Sequence, residues 1–451
     1  MRLKNFFSPL SIPIFLFAAT ICAGTILLHS PFSHYEKSIS WIDSLFTATS
    51  ATCVTGLTVV DTGHLFTRTG QIIIAALIQL GGLGIMTFTS LAFYLWRKRI
   101  LLTDKIAVGE SLLNNSSFHL GDFLKKIVIF TFLIEAVGAF SIFIFGHHHF
   151  SIFSSVFHSI SAFCNAGFSL NSDNLMNFKG NFGINITIMG LIILGGLGFS
   201  VLEEGHSYIS AKIKRKKKGY KLSRHFEIVV KTTLFLILAG WIFIYFADYI
   251  NLKHSFPESE DLMASLFQSV TCRTAGFNTL DISSMTNASL LFMILLMFIG
   301  GAPGSCAGGI KVTTFRVLWA FIIDTIRGRD QVCIGRYAID RETVNKGLTL
   351  LFFSSAILLV SVLLMSFTEG GDLPHIKARG NFLEILFETV SAYGTVGLST
   401  GLTSALSFVG KMIIVALMFI GRLGPLVLLS ALQSMQTKIL YLKPEQSISI
   451  G

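Results

Sequence analysis

Charge is scarce in this chain. Asp, Glu, Lys and Arg make up 13% of its 451 residues while 52% are hydrophobic, against roughly 25% charged in soluble domains. That deficit excludes a water-soluble globular protein of this length, and no soluble domain of useful size is left between the apolar stretches. Cysteines number six (Cys22, Cys53, Cys164, Cys272, Cys306, Cys333). They show neither paired metal-ligand spacing nor a disulfide framework, so most read as buried small residues and say nothing of redox compartment. An H-E-x-x-H zinc motif is missing too, which argues against an intramembrane enzyme. The glycine-rich run at 300–309 has Lys311 two residues beyond Gly309 rather than adjacent, and no soluble strand precedes it. A nucleotide-phosphate loop is thereby excluded, and no resident cofactor is expected.

Apolar stretches near or above the roughly 20 residues needed to cross a bilayer recur throughout, at 10–28, 70–96, 127–145 and 184–201 among others. The first follows Arg2 and Lys4 but is long and lacks a small-x-small cleavage site, so it reads as a retained transmembrane helix. The net charge of +10 does not indicate nucleic acid, because the basic residues gather at 97–99, 212–224, 327–341 and the two termini. The positive-inside rule puts those segments and both termini in the cytoplasm of a multi-pass plasma-membrane protein. Such segments could also meet anionic lipid headgroups or a cytoplasmic partner, or serve topology alone. Loops at 34–37, 147–149, 251–261 and 369–379 then face outside; His147 to His149 read as a solvated loop rather than a metal site.

Four segments share one plan: a Phe on a short amphipathic helix, then about ten residues later a Gly and a bulky apolar residue. They run from Phe46 to Gly56-Leu57, Phe157 to Gly167-Phe168, Phe267 to Gly276-Phe277 and Phe387 to Gly397-Leu398. Phe and Gly are ten residues apart in the first, second and fourth and nine in the third, and the glycines follow one another at 111, 109 and 121 residues. Regularity of this kind marks a structural unit. The expected fold is an all-α membrane protein with four outer helix, pore loop and inner helix repeats, pseudo-fourfold around one central pore. The repeats fall at 1–105, 106–218, 219–335 and 336–451, with pore loops at 41–57, 151–168, 261–277 and 381–398. Corresponding inner helices carry Gly81-Gly82-Leu83-Gly84, Gly195-Gly196-Leu197-Gly198, Gly300-Gly301-Ala302-Pro303-Gly304 and Gly421-Arg422-Leu423-Gly424-Pro425.

Non-helical backbone inside a bilayer is tolerated only where protein buries it or where it lines a watery cavity, so four such loops on one chain suggest a shared pathway. Glycine there allows a carbonyl to turn toward the axis, and a ring of carbonyls can replace the hydration shell of a monovalent cation. Half helices that point their C-terminal carbonyl ends inward favour a cation as well. The expected selectivity filter is Gly56, Gly167, Gly276 and Gly397, with Thr55, Ala166, Ala275, Val396 and, before them, Val54, Asn165, Thr274 and Thr395 giving further carbonyls. A bare scaffold would not need four such glycines.

Several polar residues stand out against this apolar background. Thr47, His158, Gln268 and Glu388 each follow the Phe of a short helix, and either brace the filter from behind or reach a solvated vestibule. Arg273 precedes the third filter strand; it pairs with a carboxylate such as Glu388 or Asp43, or snorkels outward. The third inner helix holds five glycines and one proline within 300–309, so a continuous helix is excluded and it is the odd one of the four. Its interruption at 300–310, with Gly300, Gly301, Pro303, Gly304, Ser305, Gly308, Gly309 and Lys311, is the candidate gate, expected well past the filter on the cytoplasmic side. Arg422, at matching depth on the fourth inner helix, is expected to hold it through loop carbonyls or Ser305; a fixed structural break is the alternative.

These residues resemble the Trk/Ktr/HKT superfamily of potassium transporters, and most closely its bacterial KtrB branch. The specific pieces are Ala51-Thr52-Cys53-Val54-Thr55-Gly56-Leu57, Asn165-Ala166-Gly167-Phe168-Ser169, Arg273-Thr274-Ala275-Gly276-Phe277-Asn278, Thr395-Val396-Gly397-Leu398 and Met418-Phe419-Ile420-Gly421-Arg422. The resemblance covers nearly the whole chain. It implies potassium uptake across the bacterial plasma membrane by a subunit that forms a homodimer and is controlled by a cytoplasmic nucleotide-binding regulatory ring (KtrA-like). Ser in place of the first filter glycine goes with sodium preference in that superfamily, so Gly56 implies potassium over sodium; a sodium-selective or weakly selective transporter is the alternative. Potassium is the substrate, seated at filter carbonyls only. The resemblance assigns no role to Cys53 or Cys164.

Overall fold

The computed structural model describes residues 12–35, 39–84, 120–213, 222–251, 258–371 and 380–424. Both termini, Pro425, the basic stretches 97–99 and 214–218, and parts of the loops at 251–261 and 369–379 lie outside those residues. Within them a long apolar helix is followed four times by a short helix and then a third, here called outer, short and inner. The outer helices are Ile12–His29, Leu120–Phe145, Arg224–Asn251 and Arg341–Thr368. Short helices follow at Trp41–Thr52, Ile152–Phe163, Glu258–Thr271 and Asn381–Gly394, and inner helices at Arg68–Gly82, Phe182–Leu197, Asn287–Phe298 and Phe408–Leu423. Among described residues, Lys125–Phe145, Arg224–Asp248 and Arg341–Thr368 are long and apolar enough to cross a membrane. The short helices, at 12 or 14 residues, extend about 18–21 Å and fall well short of an apolar layer about 30 Å thick.

Polarity is inverted relative to a soluble protein. Phe140, Leu359 and Phe367 on the outer helices are exposed, whereas Thr47, Thr49, Ser50, Ser161, Thr271 and Ser391 on the short helices are buried. Lipid solvates the first set, and in the second Ser50, Ser161, Thr271 and Ser391 find partners inside the protein. Small residues let each short helix approach its outer helix closely. Ser159 donates to Glu135 O at 2.6 Å and Ser269 to Ile237 O at 2.7 Å, opposite Gly138 and Gly240, where a Cβ would strike the serine side chains. Ala48 meets Gly24 at the equivalent place in the first segment.

Each inner helix starts on a capping side chain: Thr67, Asn181, Thr286 and Ser407 accept from Gly70 N, Ile184 N, Ser289 N and Gly410 N at 3.1–3.3 Å. Such a cap satisfies an otherwise orphaned amide and is worth about 1 kcal/mol. The ends correct the expectation that only the third inner helix is unusual. Gly84, Gly198, Gly304 and Gly424 all have φ between +71° and +86°, so the matching place of every repeat carries a left-handed glycine, at or just past the helix end in three and six residues past Phe298 in the third. At Gly198 the chain bends by 104° into a further helix, Phe199–Ile213. After the third inner helix the chain loops through 299–311 and continues as the helix Val312–Ile326, then a two-stranded hairpin of Cys333–Ile334 with Tyr337–Ala338.

Candidate functional site

The four turns that follow the short helices share one backbone solution. Val54, Asn165, Thr274 and Thr395, each two residues before the repeated glycine, have φ of 54°, 60°, 67° and 50°, and the glycines themselves have φ of 94°, 69°, 77° and 90°. Left-handed angles on Val and Thr are rare because the branched Cβ crowds the carbonyl, and cost about 1–3 kcal/mol each. The strain is held in place by main-chain bonds that leave the helix ladder: Thr55 N to Ser50 O at 2.8 Å, Ala166 N to Ser161 O at 2.7 Å, Ala275 N to Thr271 O at 2.9 Å and Val396 N to Ser391 O at 2.8 Å. In the third turn that bond reaches back four residues rather than five, which absorbs its shorter Phe-to-Gly spacing. One hydroxyl pins each turn from behind. Ser50 and Ser391 accept from Gly56 N and Gly397 N at 3.1 Å, while Ser161 and Thr271 donate to Phe168 O at 2.8 Å and Phe277 O at 2.6 Å.

These turns meet one another in cyclic order. A Cβ built on Gly56 would lie 2.5 Å from Ala166 O, one on Gly167 2.8 Å from Ala275 O, one on Gly276 2.7 Å from Val396 O, and one on Gly397 would strike Thr55 O. The four glycines therefore form a closed ring in which the carbonyl before each glycine faces its neighbour's Cα. Their preceding residues have fully buried side chains. A cavity of about 480 Å³ opens over the ring, lined by all four glycines and by Asp61, Asp173 and Asp281. Carboxylates around a concave mouth raise the local concentration of cations.

Beneath the ring lies the loop of the third inner helix, closed at its neck by Gly300 N to Ile310 O at 2.7 Å and Ile310 N to Phe298 O at 3.2 Å. Three cations serve its carbonyls. Arg273 donates to Ile299 O at 2.6 Å and Gly300 O at 2.7 Å, Lys311 to Ala307 O at 2.7 Å, and Arg422 to Cys306 O and to Gly81 O of the first inner helix. Arg273 thus neither snorkels nor meets a carboxylate: Asp43 pairs with Lys411 at 2.7 Å, and Glu388 is held by hydroxyls. Arg422 uses a loop carbonyl and not Ser305. Main-chain bonds also dock the loop into the break of the second inner helix, from Ala302 N to Gly196 O, Cys306 N to Gly195 O and Phe199 N to Gly304 O, at 3.0–3.3 Å. Gly301, Pro303, Ser305 and Gly309 complete the loop. It comes closer to the ring than expected, because a Cβ on Gly308 would strike the Thr395 side chain and lie 2.9 Å from Gly394 O.

Thr47, His158, Gln268 and Glu388 are all at most 2% exposed, so the solvated reading of these four side chains falls. Cys164 and Cys306 crowd Gly82: a Cβ there would strike Cys164, and Cys306 Sγ donates to Gly82 O at 3.1 Å. Repetition of sequence located the glycines and the residues two places earlier as carbonyl donors, but not the left-handed angles of the latter, whose identities differ.

A chain with apolar helices outside and buried polar turns inside is an integral membrane protein. It belongs to the TrkH family, described as cation transport proteins, whose profile matches residues 16–439. It is 40% identical over 427 residues to Ktr system potassium uptake protein B of Bacillus subtilis, covering 93% of this chain and 92% of that one. Identity is 34% to the potassium/sodium uptake protein NtpJ of Enterococcus hirae, over 100% of this chain and 99% of that one. The crystal structure of the potassium transporter TrkH from Vibrio parahaemolyticus shares the fold, with a TM-score of 0.74 at 18% identity over 97% of this chain and 88% of that one.

Proposed function

We infer that this chain is the ion-translocating subunit of a bacterial potassium uptake system, with the glycine ring as its selectivity filter and the loop at 300–311 as its gate. In this reading the repeats 1–105, 106–218, 219–335 and 336–451 surround one pathway. The observation that carries it is the closed ring of four strained turns. Backbone held at left-handed angles in four successive places is costly, and its return is a set of carbonyls from Thr55, Ala166, Ala275 and Val396 that converge where a dehydrated cation can sit. The relatives named for potassium uptake supply the ion, and Gly56 favours potassium over sodium. Rubidium flux into vesicles holding the purified protein tests it: uptake suppressed by potassium and little affected by sodium is expected, and absence of flux above empty vesicles refutes it. A weakly selective transporter of potassium and sodium is the second reading, favoured by the name of the Enterococcus relative; equal competition by the two ions would select it.

Partners follow from the same reading. The relatives named for a Ktr system support a further component, read here as a cytoplasmic nucleotide-binding ring that meets the basic connections at 212–224 and 327–341, next to anionic headgroups, and the resemblance implies a homodimer in the membrane. Replacing the basic residues of 214–218 by glutamine is expected to lose co-purification of the ring above about 0.15 M salt, where exposed charges are already screened beyond about 8 Å. Retention by the variant at high salt would assign those residues to topology alone.

A further inference from the structure

The ring is fourfold in its backbone and twofold in what stands behind it. Glu388 accepts from Ser399 Oγ, from Thr400 N at 3.2 Å and from Thr403 Oγ1 at 2.8 Å. Diagonally across, His158 Nε2 lies 3.0 Å from Ser169 Oγ, and its Nδ1 lies 2.8 Å from Ser154 O. Ser399 and Ser169 occupy the same place, two residues beyond Gly397 and Gly167, and both line the cavity over the ring. Ser169 passes the connection on: its hydroxyl lies 3.4 Å from Asn174 O, and Asn174 Nδ2 approaches Gly276 O at 3.5 Å. On the other diagonal the residues that match Glu388 and His158 make no such ties of their own among the described residues. Thr47 Oγ1 and Gln268 Oε1 have no hydrogen-bond partner among the described residues, and Gln268 Nε2 reaches only Met293 Sδ at 3.8 Å.

We propose that Glu388 and His158 are positioning residues for the outermost ion seat, fixing one diagonal of the mouth through Ser399 and Ser169 and so setting discrimination between potassium and the smaller sodium ion. A carboxylate that receives three donors, and an imidazole held at both nitrogens, are stiff anchors, because shifting either leaves a buried polar group unpaired. Chain immediately beyond two opposite filter glycines is thereby held at a fixed distance from the axis. The first turn, behind which Thr47 makes no such tie, is freer to follow the ion, while the third is reached only at second hand through Asn174. Neither side chain touches the ion in this scheme, and both act through serine hydroxyls. The inference rests on the ring's being the filter.

Its test uses the half-buried serines, whose replacement removes the tie and leaves the anchors folded. Ser399→Ala and Ser169→Ala are each expected to lower the ratio of potassium to sodium competition in rubidium flux by about threefold, and together by about tenfold, each tie being one hydrogen bond. Glu388→Asp, which keeps the charge but shortens the reach, is expected to act like Ser399→Ala. Thr47→Val, on the other diagonal, should keep the wild-type ratio. Unchanged ratios in both serine variants, or an equal fall in Thr47→Val, overturn the proposal. Gly276→Ser, run alongside, separates the two readings. If it alters the ratio while the serine variants do not, only this inference fails; if it does not, the filter assignment fails and takes this one with it.

Discussion

Gly276→Ser is expected to reduce the preference for potassium over sodium by about tenfold or more, the factor that corresponds to a shift of about 1.4 kcal/mol in the relative cost of seating the two ions. Two effects act together. Gly276 has φ of 77°, which L side chains adopt only under strain. Its Cβ would also lie 2.7 Å from Val396 O and 3.0 Å from Gly167 Cα, below ordinary contact, so two neighbouring turns must shift as well. Carbonyls aimed for the larger ion then lose their common centre, and the smaller, more strongly hydrated sodium ion is excluded less well. Competition of potassium and sodium against rubidium flux measures the ratio directly. An unchanged ratio in a variant that extracts as folded protein removes the filter assignment.

Deleting residues 303–308 is expected to raise potassium flux without the regulatory partner by about tenfold or more, the gate reading requiring only a few kcal/mol between closed and open arrangements. The excised stretch carries Cys306 O, which Arg422 binds, and Ala307 O, which Lys311 binds. The neck bonds between Phe298, Gly300 and Ile310 lie outside it, so the helices on either side keep their register. Arg422→Gln offers a second approach: it removes the charge that joins the loop to the first inner helix, and should raise flux in the same direction to a smaller extent. If the deletion variant is folded and its flux unchanged, the loop is a fixed break whose carbonyls the three cations merely satisfy.

The glycines were legible in the sequence because a turn that must take left-handed angles selects one residue type, and four copies make the choice visible. The apolar outer helices were legible by length. Val54, Asn165, Thr274 and Thr395 were placed beside the glycines as further carbonyl donors, but their strain was not legible, since they have no side-chain chemistry in common and the angle is imposed by the bonds that follow. Arg273 was misread for a related reason. A buried guanidinium suggests a carboxylate, but carbonyls freed where a helix stops can accept from it instead, and only the path of the loop places Ile299 O and Gly300 O within reach. The break at Gly198 lay hidden inside an apolar run. Its cause is tertiary: the amide and carbonyls released there are taken up by the loop of the third inner helix.

That docking makes the bent helix Phe199–Ile213 a lever. Its first residue donates to Gly304 O in the loop, and its far end leads into the basic connection at 212–224. Because the chain turns by 104° at Gly198, the lever arm runs across the axis of the helix before it, and a push at its tip becomes a torque on the main-chain bonds that hold the loop. If the loop is the gate, a force applied some 20 Å away, about the length of 15 helical residues, reaches it without any contact to the ring.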